Sequence, residues 1–533
     1  MKKLLALLLS LALLPSLTGI AAAEEGVLIT EDITINIRAM NQYTNLDRIL
    51  EKYYEMVADD PNLKHVKLNF SYVTGADYAD KLTTAIVAQE DYDLLFMGSW
   101  QGRSNFINDG VFKELSKYFN DEVNFPGLAN YYSDEFIEAQ MINGGLYYVP
   151  LGAITELPGV VYREDLRKEY GCDPITDDAT LMAYLQAVQS HIDDGSLDMK
   201  YVWGISSQGF MSFRSGEYEA AQNNIVRLSV GTDFYIYVDE NNKVVNAVVA
   251  GDDEAQFAGF PEGFNTDFIS ANYLDLLNWI PYCNNFATDG TDYTDFGMGQ
   301  TAVTYHCLSE VGSAINALKQ VDPDAEVGFY VFNEAMRNYE PHAIGTTFAA
   351  NNSVAIPAWS SEEKTTAVMC FLDALYGRKE LNDLFCYGVQ GEDWDTVDGK
   401  VKQDLRNPDD PDYYSFPVYS LIYTPGEFTY YPDWVAADET LTKCWDYEYD
   451  TDNSYLVTPL AGFVFDPSPV EIEQAALAGV AGTYQFNYGV YETVEETREM
   501  LAEQHVLFEQ AGLDTVRQEI IRQFQAYLDS KTN

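Results

Sequence analysis

Basic residues are scarce in this sequence: 31 Lys and Arg stand against 84 Asp and Glu, for a formal net charge of −53. A surface that acidic repels nucleic acid and anionic membranes, which argues against both as partners. Cysteine is sparse too. Cys172, Cys283, Cys307, Cys370, Cys386 and Cys444 form no CxxC pair, which argues against a zinc site or a thioredoxin-type motif. The histidines (His65, His191, His306, His342, His505) are scattered, with no pair at metal-ligand spacing. There is no GxSxG nucleophile elbow, no HExxH and no GxxxxGK[ST] loop. The nearest phosphate-loop look-alike, Gly297-Met298-Gly299-Gln300-Thr301-Ala302, precedes a strand-like TAVTYH instead of following one, which argues against a dinucleotide site. No apolar run is long enough to span a bilayer, which takes ~20 residues.

One shorter apolar run sets the compartment. Met1-Lys2-Lys3 leads into Leu4 to Leu14, and Ala21-Ala22-Ala23 precedes Glu24-Glu25. This is the order of a secretory signal peptide, with cleavage expected after Ala23. Loss of Lys2 and Lys3 takes the charge from −53 to −55. No cysteine near the end of the run offers a lipid attachment point. The mature chain is therefore expected to be soluble and outside the cytoplasm. Some cysteines are candidates for oxidation there, while Cys370, on the apolar face of an expected helix, reads as a buried free thiol.

What is present supports folding. A length of 533 residues suggests roughly three domains or two large ones. With 47% hydrophobic and 22% charged residues there is material for real cores, and wholesale disorder is excluded. Aromatics reach 14%, with 39 Tyr, which suits flat apolar ligands such as sugar rings and equally suits an aromatic-rich core.

Ile33, Ile35 and Ile37 alternate with Thr34 and Asn36, the period of a strand. Asn45 can cap a helix with Leu46, Ile49, Leu50 and Tyr53 on one face. Val66, Leu68, Phe70 and Tyr72 alternate again, a helix is expected from about Tyr78 to Ala88, and a short apolar run covers 93–97. Strand–helix–strand–helix–strand at this spacing predicts a parallel sheet with helices on both faces. Such sheets bind ligands beyond the carboxyl ends of their strands. The loops there are Met40-Asn41-Gln42-Tyr43, the stretch from Ser99-Trp100-Gln101 to Arg103, and the stretch after Tyr147-Tyr148-Val149-Pro150. Each carries an aromatic, an amide or both, the groups that meet a sugar's C–H face and its hydroxyls.

Further on, Ser360-Ser361-Glu362-Glu363 offers a capping box, opening a helix with Ala367, Val368, Phe371, Leu372 and Leu375 inward and Gly377 at its end. Thr493 to Glu496 offers another, Gly512 stops that helix, and Val516, Ile520, Ile521, Phe524, Tyr527 and Leu528 line the last one. Residues 391–460 are rich in Tyr, Asp and Pro and weakly periodic, and read as loops wrapped on the fold. The acidic loops Asp289, Asp292, Asp295 and Asp450, Asp452 lack the Gly and terminal Glu of a calcium loop and read as solvated. With 84 acidic residues, a search for a glycosidase carboxylate pair has no power.

Several stretches taken in order carry a family likeness: DYDLLFMGSW with GVFKELSKY, INGGLYYVPLG, GVVYREDLRKEYG, GQTAVTYH, and the long NNSVAIPAWSSEEK…YGVQGEDW region. Together they resemble the extracellular solute-binding proteins of bacterial ABC importers, of the carbohydrate type (family 1). The last ~75 residues, from GFVFDPSPVEIE through AGLDTVRQEIIRQ, resemble the C-terminal domain of LipO-like lipoproteins. The resemblance implies an α/β, two-lobe periplasmic-binding-protein-like (type II) fold with an interlobe ligand cleft, closing on hinges at the crossings. It implies a first lobe from 24–150 and 346–388. The second lobe would take 151–345 and 389–533, with 460–533 as the LipO-like part.

The function so implied is non-enzymatic: capture of an extracellular solute, an oligosaccharide above all, and delivery to ABC permease subunits, by a monomer without cofactor or metal. Asn41, Tyr43, Ser99, Trp100 and Arg103 from the first lobe and Trp203, Gln208, Phe210, Tyr305 and His306 from the second are the expected ligand contacts, with core packing an open alternative for Tyr43, Trp203 and Phe210. Relatives of this type in Gram-positive bacteria usually carry a lipobox cysteine, absent here, so the protein is expected to be periplasmic, released, or held at the surface by another route. A secreted glycoside-active enzyme and a surface adhesion or interaction protein are the rival readings.

Overall fold

The computed structural model describes residues 26–142, 144–151, 157–205, 216–270, 274–284, 293–347, 349–407, 410–415, 421, 430–484 and 493–531. The expected signal peptide lies outside them. In chain order the strands are β1 (Ile33–Met40), β2 (Val66–Val73), β3 (Leu94–Phe96), β4 (Val149–Pro150), β5 (Pro158–Arg163), β6 (Tyr201–Gly204), β7 (Ile225–Ser229), β8 (Asp233–Val238), β9 (Val244–Val248), β10 (Thr301–Cys307), β11 (Val327–Tyr330), β12 (Ile344–Thr346), β13 (Ser353–Ala355), β14 (Trp394–Val397), β15 (Val401–Asp404), β16 (Tyr431–Pro432) and β17 (Tyr455–Val457).

The first sheet has the order β2-β1-β3-β13-β4. β1 runs parallel to β2, from Ile33 opposite Val66 to Met40 opposite Val73, and parallel to β3. Ile35 and Ile37 are buried as their alternation requires. Beyond Ile37 the alternation gives way: Arg38, Ala39 and Met40 are all buried, because β1 is internal to the sheet and covered on both faces. Arg38 meets this with its guanidinium against the rings of Tyr78 and Tyr92, 5.7 and 5.1 Å from their centroids. One continuous core joins residues of the first 151 positions to Val354–Cys386 and also takes in Tyr414 and Leu421. The chain thus returns to the first lobe after residue 389, and the stretch read as wrapped loops buries Tyr414 and Leu421 there.

The second lobe is built on the sheet β11-β5-β10-β6. A separate antiparallel sheet, β7-β8-β9, carries the C-terminal helices, with Phe234, Ile236, Leu477, Phe508, Ile520 and Phe524 in one core. A buried charge network pins those helices. Arg517 gives two hydrogen bonds to Asp252 at 2.7 and 2.8 Å and one from Nε to the Ala247 carbonyl, and His505 Nε2 lies 2.8 Å from the same carboxylate. The Asp252 hydrogen bond raises the His505 pKa.

Some local expectations change. Asn45 occupies the cap position of the helix Leu46–Met56 but makes no cap hydrogen bond, since its backbone is left-handed (φ 54°) and its amide reaches the carbonyls of Pro411 and Tyr413. The helix read from Tyr78 begins at Gly75. The cap of the helix Glu362–Gly377 is Ser361, accepting from Lys364 N–H, and Glu362 turns outward to Lys113 and Lys117. Gly377 does not end that helix through a positive φ; it lies against Gly127, where a Cβ would come within 2.9 Å of the Gly127 Cα. Thr493 caps the helix Val494–Gln510, and Gly512, at φ 96°, follows it. The 391–460 stretch holds more regular structure than its weak periodicity predicted: the sheet β14-β15-β16 and the helix Glu439–Tyr449, capped by Asp438 and burying Leu441, Cys444, Tyr447 and Glu448. Asp295 is buried, with Lys200 Nζ 3.6 Å from its carboxylate, not solvated. All six cysteines are free thiols, and burial pushes the Cys370 thiol up to about 12.

Candidate functional site

Register alone places the strand ends that matter. β1 sits between β2 and β3, so the chain steps to one side and then the other of β1. Ligands of open α/β sheets bind at such a switch point, outside the carboxyl ends. Here those ends are Asn41 after β1 and the turn Ser99–Gln101 after β3. β13 is antiparallel to both β3 and β4, with Val354 opposite Phe96 and Ser353 opposite Pro150. The chain therefore leaves the first lobe level with the end of β3. It enters the second at Pro158, which pairs with Cys307 while Gly159 pairs with His306, so the end of β10 lies at the entry point. The turn after β3 and the end of β10 flank the same crossing.

That crossing is anchored. Leu157 N–H donates to the buried Glu448 carboxylate at 2.7 Å, and the Leu157 carbonyl accepts from Leu308 N–H. A second crossing runs from β12, paired in parallel with β17, toward β13. These are the places where two lobes joined by strands can flex.

The first-lobe wall is assembled from the turn after β3. Ser99 N–H donates to the Asn351 carbonyl at 2.8 Å, and the Gln101 Oε1 accepts from Gly98 N–H at 2.8 Å. Turning its oxygen inward leaves the Gln101 amide nitrogen buried without a protein acceptor. A buried N–H₂ group with no partner costs free energy unless something meets it, and a ligand hydroxyl is a suitable acceptor. Asn41 is exposed, its backbone left-handed (φ 66°) and its N–H bonded to the Val73 carbonyl. Ser99 is exposed as well. Trp100 has its backbone in the same turn, while its side chain lies outside the described residues.

The expected contacts divide. Arg103 is 3% exposed and bonds inward: Nη1 to Ser353 Oγ at 2.9 Å, Nη2 to the Ala350 carbonyl at 2.8 Å, and the guanidinium 3.8 Å from the Tyr148 ring centroid. Burial lowers its pKa, with Tyr148 acting in the opposite sense. Arg103 braces the floor beneath the turn after β3 through these bonds, while its Nε is buried without a hydrogen-bond partner. Tyr43 is 1% exposed and stacks on Tyr414 at 6.4 Å, and Trp203 is fully buried against Trp279 at 6.0 Å. Core packing, the alternative open for both, is where the structure puts them. Trp203 stands in the apolar run Tyr201–Gly204, the pattern of a strand covered on both faces, which was a usable signal. Gln208 and Phe210 lie outside the described residues. Tyr305 and His306 are half-buried at the end of β10, Tyr305 packing on Phe332 at 6.3 Å. Gln101 was within the loop the sequence singled out, but its inward-turned oxygen and orphaned nitrogen depend on the Gly98 backbone.

Among the described residues no group of three or more His, Cys, Asp or Glu could hold a metal ion, and no helix is long and apolar enough to cross a membrane.

Comparison with known proteins agrees with the sequence resemblance. Residues 44–269 match the family described as Bacterial extracellular solute-binding protein, and residues 459–529 match a Domain of unknown function (DUF3502). A Carbohydrate ABC transporter substrate-binding protein of Streptococcus pneumoniae is 20% identical over 501 residues, covering 91% of this chain and 89% of that one. The N-glycan transport solute binding protein NgtS of the same organism superposes with a TM-score of 0.65 at 16% identity, over 94% of this chain and 100% of that one. An HMO binding ABC-transporter associated solute binding protein from Bifidobacterium longum infantis gives 0.57 at 13% identity, over 94% and 99%. The fold is that of these α/β solute-binding proteins.

Proposed function

We propose that this chain, an extracellular solute-binding protein of the carbohydrate type by its match over residues 44–269 and its full-length relative, is the substrate-binding component of an ABC importer. It captures an oligosaccharide between its lobes and delivers it, unaltered, to permease subunits in the membrane. The protein acts outside the cytoplasm, as a monomer.

The single observation that carries the ligand class is the turn after β3: an exposed hydroxyl at Ser99, an orphaned buried amide N–H₂ at Gln101 and the exposed amide of Asn41 stand at one switch point. Neutral hydrogen-bonding groups of this kind suit the hydroxyls of a sugar. Tyr305 and His306 supply the facing wall. The ligands named for two neighbours, Man1GlcNAc and HMO, support an oligosaccharide.

The test is a thermal-shift panel of the mature protein with neutral oligosaccharides, followed by chromatography of the sugar after prolonged incubation. A ligand that binds only the folded state stabilises by RT ln(1 + [L]/Kd), ~2.7 kcal/mol at a hundredfold excess over Kd. At least one sugar should raise the melting temperature and be recovered intact. A panel without a shift, or recovery of hydrolysed sugar, overturns the reading.

A further inference from the structure

Beside the switch point lies a cavity of 390 Å³, lined by Gln42, Asn45, Asp47, Arg48, Tyr72 and Asp412 among others. That volume is within the ~300–1,000 Å³ typical of small-molecule sites. Gln42 directly follows Asn41, so the cavity continues the candidate ligand site toward the β2 edge of the first sheet.

Its outer wall comes from far along the chain. Thr44 forms an antiparallel bridge with Ser415, whose Oγ donates to Thr44 Oγ1 at 3.1 Å. Asn45 Nδ2 donates to the carbonyls of Pro411 (3.0 Å) and Tyr413 (2.7 Å), and Tyr414 stacks on Tyr43. The loop between is held in an uncommon shape: Asn41 and Asn45, at φ 66° and 54°, are both left-handed. Asparagine tolerates that region better than other side chains, and paired outliers of this kind concentrate at ligand clamps.

The polar groups of the cavity fall into two sets. Arg48 is committed, with two hydrogen bonds to Asp393 at 2.9 and 2.6 Å and a third to the Asp412 carbonyl at 3.1 Å. By contrast the side chains of Gln42, Asp47 and Tyr72 make no hydrogen bond among the described residues. Tyr72 is half-buried, its ring stacked on Phe70 at 6.4 Å, so its hydroxyl is delivered on a fixed ring. A phenol, a carboxamide and a carboxylate converge on one space, with acceptors in excess. They suit vicinal hydroxyls, and the Asp47 carboxylate disfavours an anionic sugar, while Asp412 is partly offset by Arg406 Nη1 at 3.7 Å.

We infer that this cavity is an extension subsite, in which Gln42, Asp47 and Tyr72 hold a further neutral pyranose unit of the oligosaccharide whose first units lie at the switch point. This rests on the proposed function and specifies its ligand: a neutral chain longer than the switch point alone accommodates.

The experiment measures calorimetric affinities for ladders of neutral manno-, malto- and lacto-oligosaccharides, from disaccharide to hexasaccharide, with the mature wild type and with Asp47→Asn/Tyr72→Phe. The exposed Asp47 and the retained Tyr72 ring let the double variant fold, which its melting temperature verifies. In the wild type, affinity should rise about tenfold at one step of a bound ladder. In the variant that step should vanish while the shortest bound member keeps its affinity, and a uronate in place of the added unit should abolish the step in wild type. If a ladder binds but shows no step, or the variant keeps it, or every length weakens equally, the subsite is overturned while the proposed function stands. If no ladder binds at all, both fall together.

Discussion

Arg103→Ala separates scaffold from ligand contact. The guanidinium makes two hydrogen bonds, at 2.9 Å to Ser353 Oγ and 2.8 Å to the Ala350 carbonyl, and lies 3.8 Å from the Tyr148 ring centroid. Hydrogen bonds to a charged donor contribute ~1.5–3 kcal/mol each, and a desolvated cation–π contact ~2 kcal/mol. Against these stands the cost of burying the charge, visible in the lowered Arg103 pKa. The net loss on truncation is roughly 3 kcal/mol, because the two acceptors are also left in a buried site. At ~2–4 °C per kcal/mol for a unit of 150–250 residues, the first-lobe transition should fall by about 6–12 °C. Ser353→Ala removes one of the two bonds together with the Ser353 hydroxyl's own donation to the Met97 carbonyl, and should lower the transition by less than Arg103→Ala does. The assay is differential scanning calorimetry of each variant, with sugar affinity measured well below the transition. A variant that keeps its melting temperature but loses the sugar would refute the reasoning and return Arg103 to the ligand.

Three further outcomes test the framework around the site. Asp252→Asn removes the charge that Arg517 and His505 share and leaves Arg517 only the exposed Asp514 as an ionic partner; breaking a buried charge pair in this way costs up to ~3–5 kcal/mol, so chemical denaturation should release the C-terminal helices first. His505 adds a pH dependence: its folded pKa is raised above 6.5, so its stabilisation is complete below that value and is lost as pH rises through the folded pKa. His505→Gln should flatten the stability profile above about pH 6.5. In Gly127→Ala, a Cβ would sit 2.1 Å from the Asp373 carbonyl oxygen, forcing the helices Pro126–Tyr131 and Glu362–Gly377 apart; overpacking of this kind costs ~1–3 kcal/mol, read as a lowered urea midpoint.

Local pattern carried the three parallel strands of the first sheet but not β13 and β4, whose antiparallel pairing makes the sheet mixed where a parallel one was expected. Period-two runs at 33–37 and 66–72 became β1 and β2, and the apolar run at 93–97 became β3, because a strand's alternation is written in neighbouring residues. The capping threonine at Thr493 and the buried stripe from Val516 to Leu528 were legible for the same reason. The helix Glu439–Tyr449 was not, since its apolar positions are interleaved with Tyr, Trp and Asp and its stability comes from packing on the second lobe.

The loops of the candidate site were visible as the segments following strands, but the direction each side chain takes was not. Arg103 and Trp203 have the chemistry of ligand contacts, and both are drawn inward by partners hundreds of residues away or from another element: Ser353 and Ala350 for one, Trp279 for the other. Asn45 has the chemistry of a helix cap and is taken by Pro411 and Tyr413 instead. Composition, charge and the first three strands of the sheet were decided by the residues in line, since charge, hydropathy and periodicity are local properties. Which polar group is used up and which is left open at the cleft was decided only by long-range contact, because a donor's availability depends on acceptors that the fold, not the chain order, brings to it.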